Sequence, residues 1–324
     1  MLIDAYAHTM PQRYCDALAR LGIHDHDFVP PYLCDMAARR EFLAPLGTPR
    51  CVAAPMQLPL HLDLPRQTVA ELARIYNNEA AELQDKNPDL IAATVAALPL
   101  GDMDDTLREA ERALTELHMR GVLLPCNYHG LEPGCDEWRP LMRLMARHDL
   151  PVWLHPWPFA SNRPLMPDSG GWEMLADTAD AMVHAVCSGL FDELPDIKLV
   201  VHHGGAYVPF FAARLKAQYF TDYGRTGRLY DPSVPEPDHT EPYRWFENLK
   251  KFYADTAFYG RCTPQINAIV DFYGEDHVLF GTDFPLPTAA ELAPAVKSLA
   301  EAALTAEGRK KVESGNIERI CNLI

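Results

Sequence analysis

Ile197-Lys198-Leu199-Val200-Val201-His202-His203-Gly204-Gly205 is a short apolar run that stops abruptly in two histidines and two glycines. A run this short, with only one charged residue among its first five, reads as a strand covered on both faces. The same signature recurs along the chain. Candidate strands lie at 2–6, 51–55, 90–97, 121–124, 152–155, 197–202, 252–256 and 278–281, eight in all. Between most of them the period changes to that of a helix. Residues 65–86 set Val69, Leu72, Ala73, Tyr76, Ala80 and Leu83 close to a 3.6-residue repeat. Residues 102–119 open on aspartates able to cap and run on through Leu107, Ala110, Leu114 and Leu117. Helical patterns also cover 136–148, 172–190, 207–219 and 264–273, and 289–320 reads as two or three closing helices.

Eight alternating strands and helices predict a parallel sheet closed into a (β/α)8 TIM barrel, distorted where two stretches break the repeat. Those stretches, 10–50 and 221–245, are rich in Pro, Tyr, Arg and Asp and read as insertions that cap the barrel or reach a partner subunit. With no internal repeat and no linker, residues 1–324 read as a single domain. An open doubly wound sheet is the competing arrangement. Its dinucleotide-binding form lacks the G-x-G-x-x-G that should follow the first strand.

The composition fits a globular chain with one large core: 48% apolar, 23% charged. A net charge of −16 disfavours nucleic acid and anionic membranes as partners. It leaves room for a small anionic substrate where a metal or local cations invert the field of a cleft. None of the eight cysteines forms a C-x-x-C pair. No stretch approaches the ~18 apolar residues of a membrane span, and the N-terminus is neither basic nor a long apolar run. The expectation is a cytoplasmic protein with reduced cysteines.

In a barrel the C-terminal ends of the strands open onto one mouth. The first candidate strand ends Asp4-Ala5-Tyr6-Ala7-His8, so alternation predicts Asp4, Tyr6 and His8 facing inward together. The fifth ends in His155-Pro156-Trp157-Pro158, the sixth in His202-His203 and the eighth in Gly281-Thr282-Asp283. Imidazole and carboxylate together suit Zn²⁺ or a similar ion, which takes about three protein ligands and keeps one position open. On a regular strand His202 and His203 face opposite ways, so one reaches the pocket unless the strand has already broken. A lone histidine is most often structural, and His24, His26, His61, His118, His129, His148, His184, His239 and His277 are read that way. For His8, His155, His202 and Asp283 the agreement of four strand ends reverses that reading. Asp255, late in the seventh strand, suits catalysis or the support of its neighbours equally well. Of Trp153 and Trp157, one reads as core and the other as pocket wall. Arg50, Arg163, Arg214, Arg225, Arg228, Arg244 and Arg261 are candidate carboxylate clamps.

Three stretches carry a resemblance: Leu154-His155-Pro156-Trp157, Val201-His202-His203-Gly204-Gly205-Ala206 with Pro209-Phe210, and Phe280-Gly281-Thr282-Asp283-Phe284-Pro285. They resemble the amidohydrolase-related branch of the amidohydrolase superfamily, over Leu2 to about Pro287. Its members include aminocarboxymuconate-semialdehyde decarboxylase, resorcylate-type decarboxylases and oxalomesaconate hydratase. The resemblance implies a metal-dependent-hydrolase type of barrel with His8, His155 and Asp283 as ligands of a divalent metal, Zn or Mn. It implies catalytic roles for His202 and Asp283, with Tyr6, Trp157 and His203 facing a small carboxylate substrate. The implied activity is that of a lyase, a non-oxidative decarboxylase of a small unsaturated or aromatic acid. The alternative is a hydrolase or hydratase using metal-activated water. A homodimer is implied as well, in keeping with the Tyr- and Arg-rich residues 219–230.

The chain departs from the family twice. Tyr6 stands where members carry His or Glu, and a phenol, with a reference pKa near ~10, is a poor ligand. Tyr6 is then an unusual ligand, a hydrogen-bonding neighbour of a metal held by the other three, or the mark of a site that has lost its metal. His203 stands where several relatives have Gly, as an added acid, an added ligand or a structural residue.

Overall fold

In a computed structural model, the structure describes residues 2–24, 31–47, 49–56, 63–157, 171–219, 246–257, 262–285 and 289–323. Among the described residues eight short strands carry the architecture: β1 (Ile3–Thr9), β2 (Arg50–Pro55), β3 (Ile91–Thr94), β4 (Val122–Pro125), β5 (Val152–His155), β6 (Leu199–Val201), β7 (Tyr253–Asp255) and β8 (Val278–Leu279). They pair in parallel, in the orders β1-β2-β3 and β4-β5-β6-β7-β8. Two seams join these sheets into a barrel. At the first, Ala96 bridges Val122, and Leu123 N donates to Ala96 O at 3.0 Å. At the second, Ala7 bridges Phe284, while Ala5 N donates to Phe280 O at 2.8 Å and His8 N to Phe284 O at 2.7 Å.

The helices lie outside: α1 (Gln12–Arg20), α2 (Met36–Leu43), α3 (Arg66–Lys86), α4 (Met103–Thr115), α5 (Arg139–His148), α6 (Trp172–Cys187), α7 (Leu190–Glu193), α8 (Val208–Tyr219), α9 (Thr263–Tyr273), α10 (Ala289–Glu301), α11 (Ala306–Lys310) and α12 (Asn316–Ile320). Local chemistry sets several ends. Asp35 caps α2 by accepting from Ala37 N and Ala38 N, and Asp102 caps α4 by accepting from Asp105 N. The single helix expected over 172–190 stops at Cys187, and Gly189, at φ 76°, turns the chain into α7.

Two apolar layers follow. One fills the space between strands and helices. The other fills the barrel itself with side chains such as Ile3, Val52, Leu123, Trp153 and Leu279, closed below by Ile317, Ile320 and Cys321 of the C-terminal segment. Trp153 is therefore core.

The stretch 10–50 contains α1, 3-10 turns at Pro31–Leu33 and Ala44–Leu46, and α2, with α1 packed on α3. The stretch 221–245 lies outside the described residues, as do Arg163, Arg225, Arg228, Arg244, Arg261, His26, His61 and His239. Among the described residues no helix is long and apolar enough to cross a membrane.

One expectation about β1 needs correcting. Its register against β2 slips between Asp4 and Ala7, so three steps of β1 face two of β2. That bulge breaks the alternation. Ala5 and Tyr6, adjacent in sequence, both join the barrel filling. Asp4 instead ties β1 to the segment after β8. Its Oδ1 accepts from Tyr6 N (3.1 Å) and Thr282 N (3.0 Å), and its Oδ2 from Thr282 Oγ1 (2.5 Å).

Candidate active site

His8 leaves the end of β1 with its ring oriented by the neighbouring strand. Nδ1 lies 3.3 Å from Pro55 O, the last residue of β2. A carbonyl only accepts, so Nδ1 carries a hydrogen, and Nε2, 3.1 Å from Asp283 Oδ1, is the atom left to face a metal. His155 ends β5. Potential ligand atoms of His8, His155 and Asp283 all lie within 4.8 Å of one another, and all three residues are buried. Atoms bound to one ion at about 2.1 Å are at most about 4.2 Å apart. A small inward shift brings these three onto a common ion, and two imidazoles with one carboxylate are a donor set that fits a divalent metal.

A residue missed in the sequence steadies this end of β1. Arg39, on α2, is fully buried. Its Nη2 donates to His8 O, its Nη1 to Thr9 Oγ1 at 3.1 Å and its Nε to Tyr32 O at 3.1 Å. Its guanidinium also lies over the Phe284 ring, 4.7 Å from the centroid. One side chain thus fixes the backbone of His8 and packs on the residue that follows Asp283. Sequence offered little signal for it, because Arg39 sits in a stretch of weak periodicity.

β6 stops at Val201. His202 is still extended (φ −90°, ψ 167°), while His203 turns left-handed at φ 55° and opens a 3-10 turn, His203–Gly205. The strand has broken between them, so both histidines reach the site. His202 Nδ1 lies 2.5 Å from Asp255 Oδ2, and Asp255 Oδ1 accepts from His203 N and Ala257 N, each at 3.0 Å. Asp255 thus holds the ring of His202, whose Nε2 is buried with no hydrogen-bond partner among the described residues. His203 Nε2 lies 3.7 Å from Asp283 Oδ2. The turn requires glycine at 205, where φ is 73° and an added Cβ would stand 2.0 Å from Tyr273 Oη.

Tyr6 sits among these rings. Its centroid is 3.9 Å from that of His202, 4.9 Å from His8 and 5.4 Å from His155. Its hydroxyl is buried and has no hydrogen-bond partner among the described residues. Burial, then the charges of Asp283 and Asp255, push this phenol well above its ordinary pKa, so the metal-free site holds it neutral.

The electrostatics sort the other groups. Burial works against ionisation of Asp283, but the His203 and His8 imidazoles beside it prevail and hold its carboxyl well below the usual range. Burial, then repulsion from His202 and His8, lowers His155 well below its ordinary value, which leaves the neutral imidazole a metal needs. For His203 burial opposes the cation, yet the Asp283 carboxylate raises its pKa. Burial pushes Asp4 up to about 7, against its hydrogen bonds to Thr282 and Tyr6.

The remaining candidates scatter. Trp157 stands half-buried two residues beyond His155. Arg50 begins β2, at the opposite end of the barrel from the site, and Arg214 is exposed on α8. His148 pairs with Glu111 at 3.1 Å and His277 stacks on Tyr253, both structural. A cleft of about 460 Å³ opens after β2, β3 and β4 beside Tyr128 and His129. Its Arg66 is neutralised by Asp102 (2.7 Å) and Asp105 (2.5 Å), which leaves little positive charge there for a carboxylate.

A closed parallel barrel with these ligand candidates at one mouth agrees with the sequence profile of the amidohydrolase family, which matches residues 3–323; the chain belongs to that family. It is 25% identical over 230 residues to the 2-amino-3-carboxymuconate-6-semialdehyde decarboxylase of Dictyostelium discoideum, across 70% of this chain and 60% of that protein. The match therefore spans less than two thirds of that relative's length. Against the gamma-resorcylate decarboxylase of a Rhizobium species, identity is 29% over 241 residues, 68% of this chain and 67% of the relative. The fold is also that of a dihydroxybenzoic acid decarboxylase from Polaromonas sp. JS666, solved with bound manganese and 2-nitroresorcinol. The TM-score is 0.76 at 22% identity, covering 99% of this chain and 97% of that one.

Proposed function

We propose that this protein is a metal-dependent, non-oxidative decarboxylase acting on a small aromatic or unsaturated carboxylic acid. The observation that carries the reading is the convergence of His8, His155 and Asp283, with His202 held beside them on Asp255. The names of the relatives above, decarboxylases all, support the same reaction class. We assign His8, His155 and Asp283 as ligands of a divalent ion, zinc or manganese, and manganese is the ion bound in the Polaromonas enzyme. When bound, the ion supplies positive charge that holds the carboxylate and a neighbouring oxygen of the substrate.

The chain's own residues do the rest. The C–C bond to the carboxylate breaks, CO₂ leaves, and the electron pair left on carbon takes up a proton. Two groups can hold that proton, His202 Nε2 and Asp283. Asp255 favours the first, since it steadies the imidazolium that forms when His202 is charged. Tyr6, a neutral phenol with an uncommitted hydroxyl, donates to a substrate oxygen and is not a ligand. Trp157 and His203 form part of the substrate wall. The chain acts as a single domain, in a cytoplasmic homodimer. The family resemblance and the net charge of −16 support that last part of the reading.

Hydration or hydrolysis is a second reading. His202 Nε2 can take a proton from water as readily as give one to carbon. Metal-loaded enzyme incubated with 2,6-dihydroxybenzoate, other hydroxybenzoates and carboxymuconate semialdehydes separates the two. Release of CO₂ is expected, falling by orders of magnitude in His202→Ala and Asp283→Asn while circular dichroism stays native. Addition of water without CO₂ would move the assignment to a hydratase or hydrolase. Full activity in both variants would overturn the residue roles.

A further inference from the structure

Away from the mouth, two thiols face each other across the stretch between β1 and β2. Cys15, on α1, is buried, and Cys34, just after the 3-10 turn Pro31–Leu33, is partly exposed. Their sulfurs are 3.7 Å apart and joined by a hydrogen bond. A disulfide needs about 2 Å between sulfurs, a closure that side-chain rotation and a small backbone shift accomplish. We propose that Cys15 and Cys34 are a thiol–disulfide modification site, closed by a low-molecular-weight disulfide such as oxidised glutathione.

Reactivity and placement both support the pair. Cys34 is the accessible member, and the neighbouring Cys15 thiol is the main reason its own thiol lies below the usual range. Thiolate Cys34 attacks the small disulfide, forms a mixed disulfide and expels one thiol. Cys15 then attacks Cys34 Sγ, expels the second, and the two protons lost by the cysteines end on the two small thiols. By contrast Cys51, whose sulfur lies 3.7 Å from Arg39 Nη1, is fully buried with its thiol pushed up to about 11 by that burial.

The bond would lock a segment that supports the site. Met10, two residues past His8, donates its N–H to Leu33 O at 3.1 Å, and Cys15 Sγ lies 3.6 Å from Met10 O. Asp35, next to Cys34, caps the helix that carries Arg39, and Arg39 holds His8 O. A Cys15–Cys34 bond therefore ties α1 to the clamp on β1. Its effect is restraint of residues 31–39.

The test uses the full, reduced chain treated with oxidised glutathione, then thiol alkylation with peptide mapping, and amide hydrogen exchange. A Cys15–Cys34 linked peptide is expected, with loss of alkylation at both residues, reversal by dithiothreitol and slower exchange across residues 33–39. Cys15→Ser should stop at glutathionylated Cys34 and show no slowing. The proposal is overturned if wild type also stops at the mixed disulfide, if Cys34 links to another cysteine, or if the linked form exchanges as fast as the reduced one.

Discussion

At the scale of single residues, the site is defined by which groups keep a partner and which do not. His202 has its Nδ1 committed to Asp255 and its Nε2 uncommitted. A proton-transfer group in this position contributes about 100- to 10,000-fold to rate. His202→Ala should therefore lower kcat by that order with KM little changed, read by steady-state CO₂ release. Asp255→Asn, which keeps the volume but weakens the hold on Nδ1–H, should lower kcat less and shift its pH profile. An unshifted profile would deny Asp255 its orienting role. Tyr6 makes a second prediction. On the proposed reading, in which Tyr6 is a neutral hydroxyl outside the ligand set, Tyr6→Phe should leave stoichiometric metal by elemental analysis while turnover falls. Metal appearing only in Tyr6→His would show instead that the native site is deficient.

Asp4 adds a pH dependence whose sign can be worked out. Its folded pKa is raised to about 7, against about 4 in an unfolded chain. Between those values the folded, metal-free protein binds a proton that the unfolded chain has lost, so stability from this group is present at low pH and lost as pH rises towards 7. Asp4→Asn cannot titrate; its Oδ1 can still accept from Tyr6 N and Thr282 N, and its Nδ2 can donate to Thr282 Oγ1 in place of the bond the carboxylate accepts. Denaturation of metal-free protein at several pH values should show the variant gaining on wild type from pH 4 to 7. A gap that stays constant would mean the carboxyl is ionised throughout.

At the scale of elements, irregularities place the chemistry. The bulge in β1 turns Tyr6 inward, and the break after His202 brings His203 to Asp283. Alternation in the sequence put Asp4 on one inward face with Tyr6 and His8, and the bulge overturned that for Asp4, because a bulge depends on the register of the neighbouring strand. The break after β6 was legible, since two glycines follow the histidines. What packs against Gly205 in the turn that follows, the hydroxyl of Tyr273 on α9, was not. Gly205→Ala should destabilise by about 1–3 kcal/mol through its left-handed backbone, with the clash added. Tyr273 Oη is buried without a hydrogen-bond partner among the described residues, so Tyr273→Phe alone should matter little. In that background the cost of Gly205→Ala should shrink, a coupling measurable in a denaturant double-mutant cycle. Arg39→Met should cost about 3 kcal/mol or more, because it leaves the carbonyls of His8 and Tyr32 buried and unpaired.

At the scale of the whole molecule, the proposed ligands come from β1, β5 and β8, and β8 closes the barrel onto β1. An ion held there would bind the folded chain and not the unfolded one. At a hundredfold excess over Kd that stabilises by about 2.7 kcal/mol. With about 1.5 °C per kcal/mol in a chain of 324 residues, saturating zinc or manganese should raise Tm by about 4 °C over chelated protein. The shift should vanish in Asp283→Asn. A shift that survives in the variant would locate the ion elsewhere.

By itself the sequence determined the number of strands, their near order with the helices, and the polar residues at four strand ends, because burial and side-chain period are written locally in each segment. It did not determine that Asp255 would hold His202, that Asp4 would bind Thr282, or that a buried arginine from a stretch of weak pattern would hold the backbone of His8. Each of those is a pairing between segments far apart in the chain. Such pairings exist only once β1 meets β8 and the barrel shuts, since hydrogen bonds and charges act across a few ångströms of space and take no account of distance along the chain.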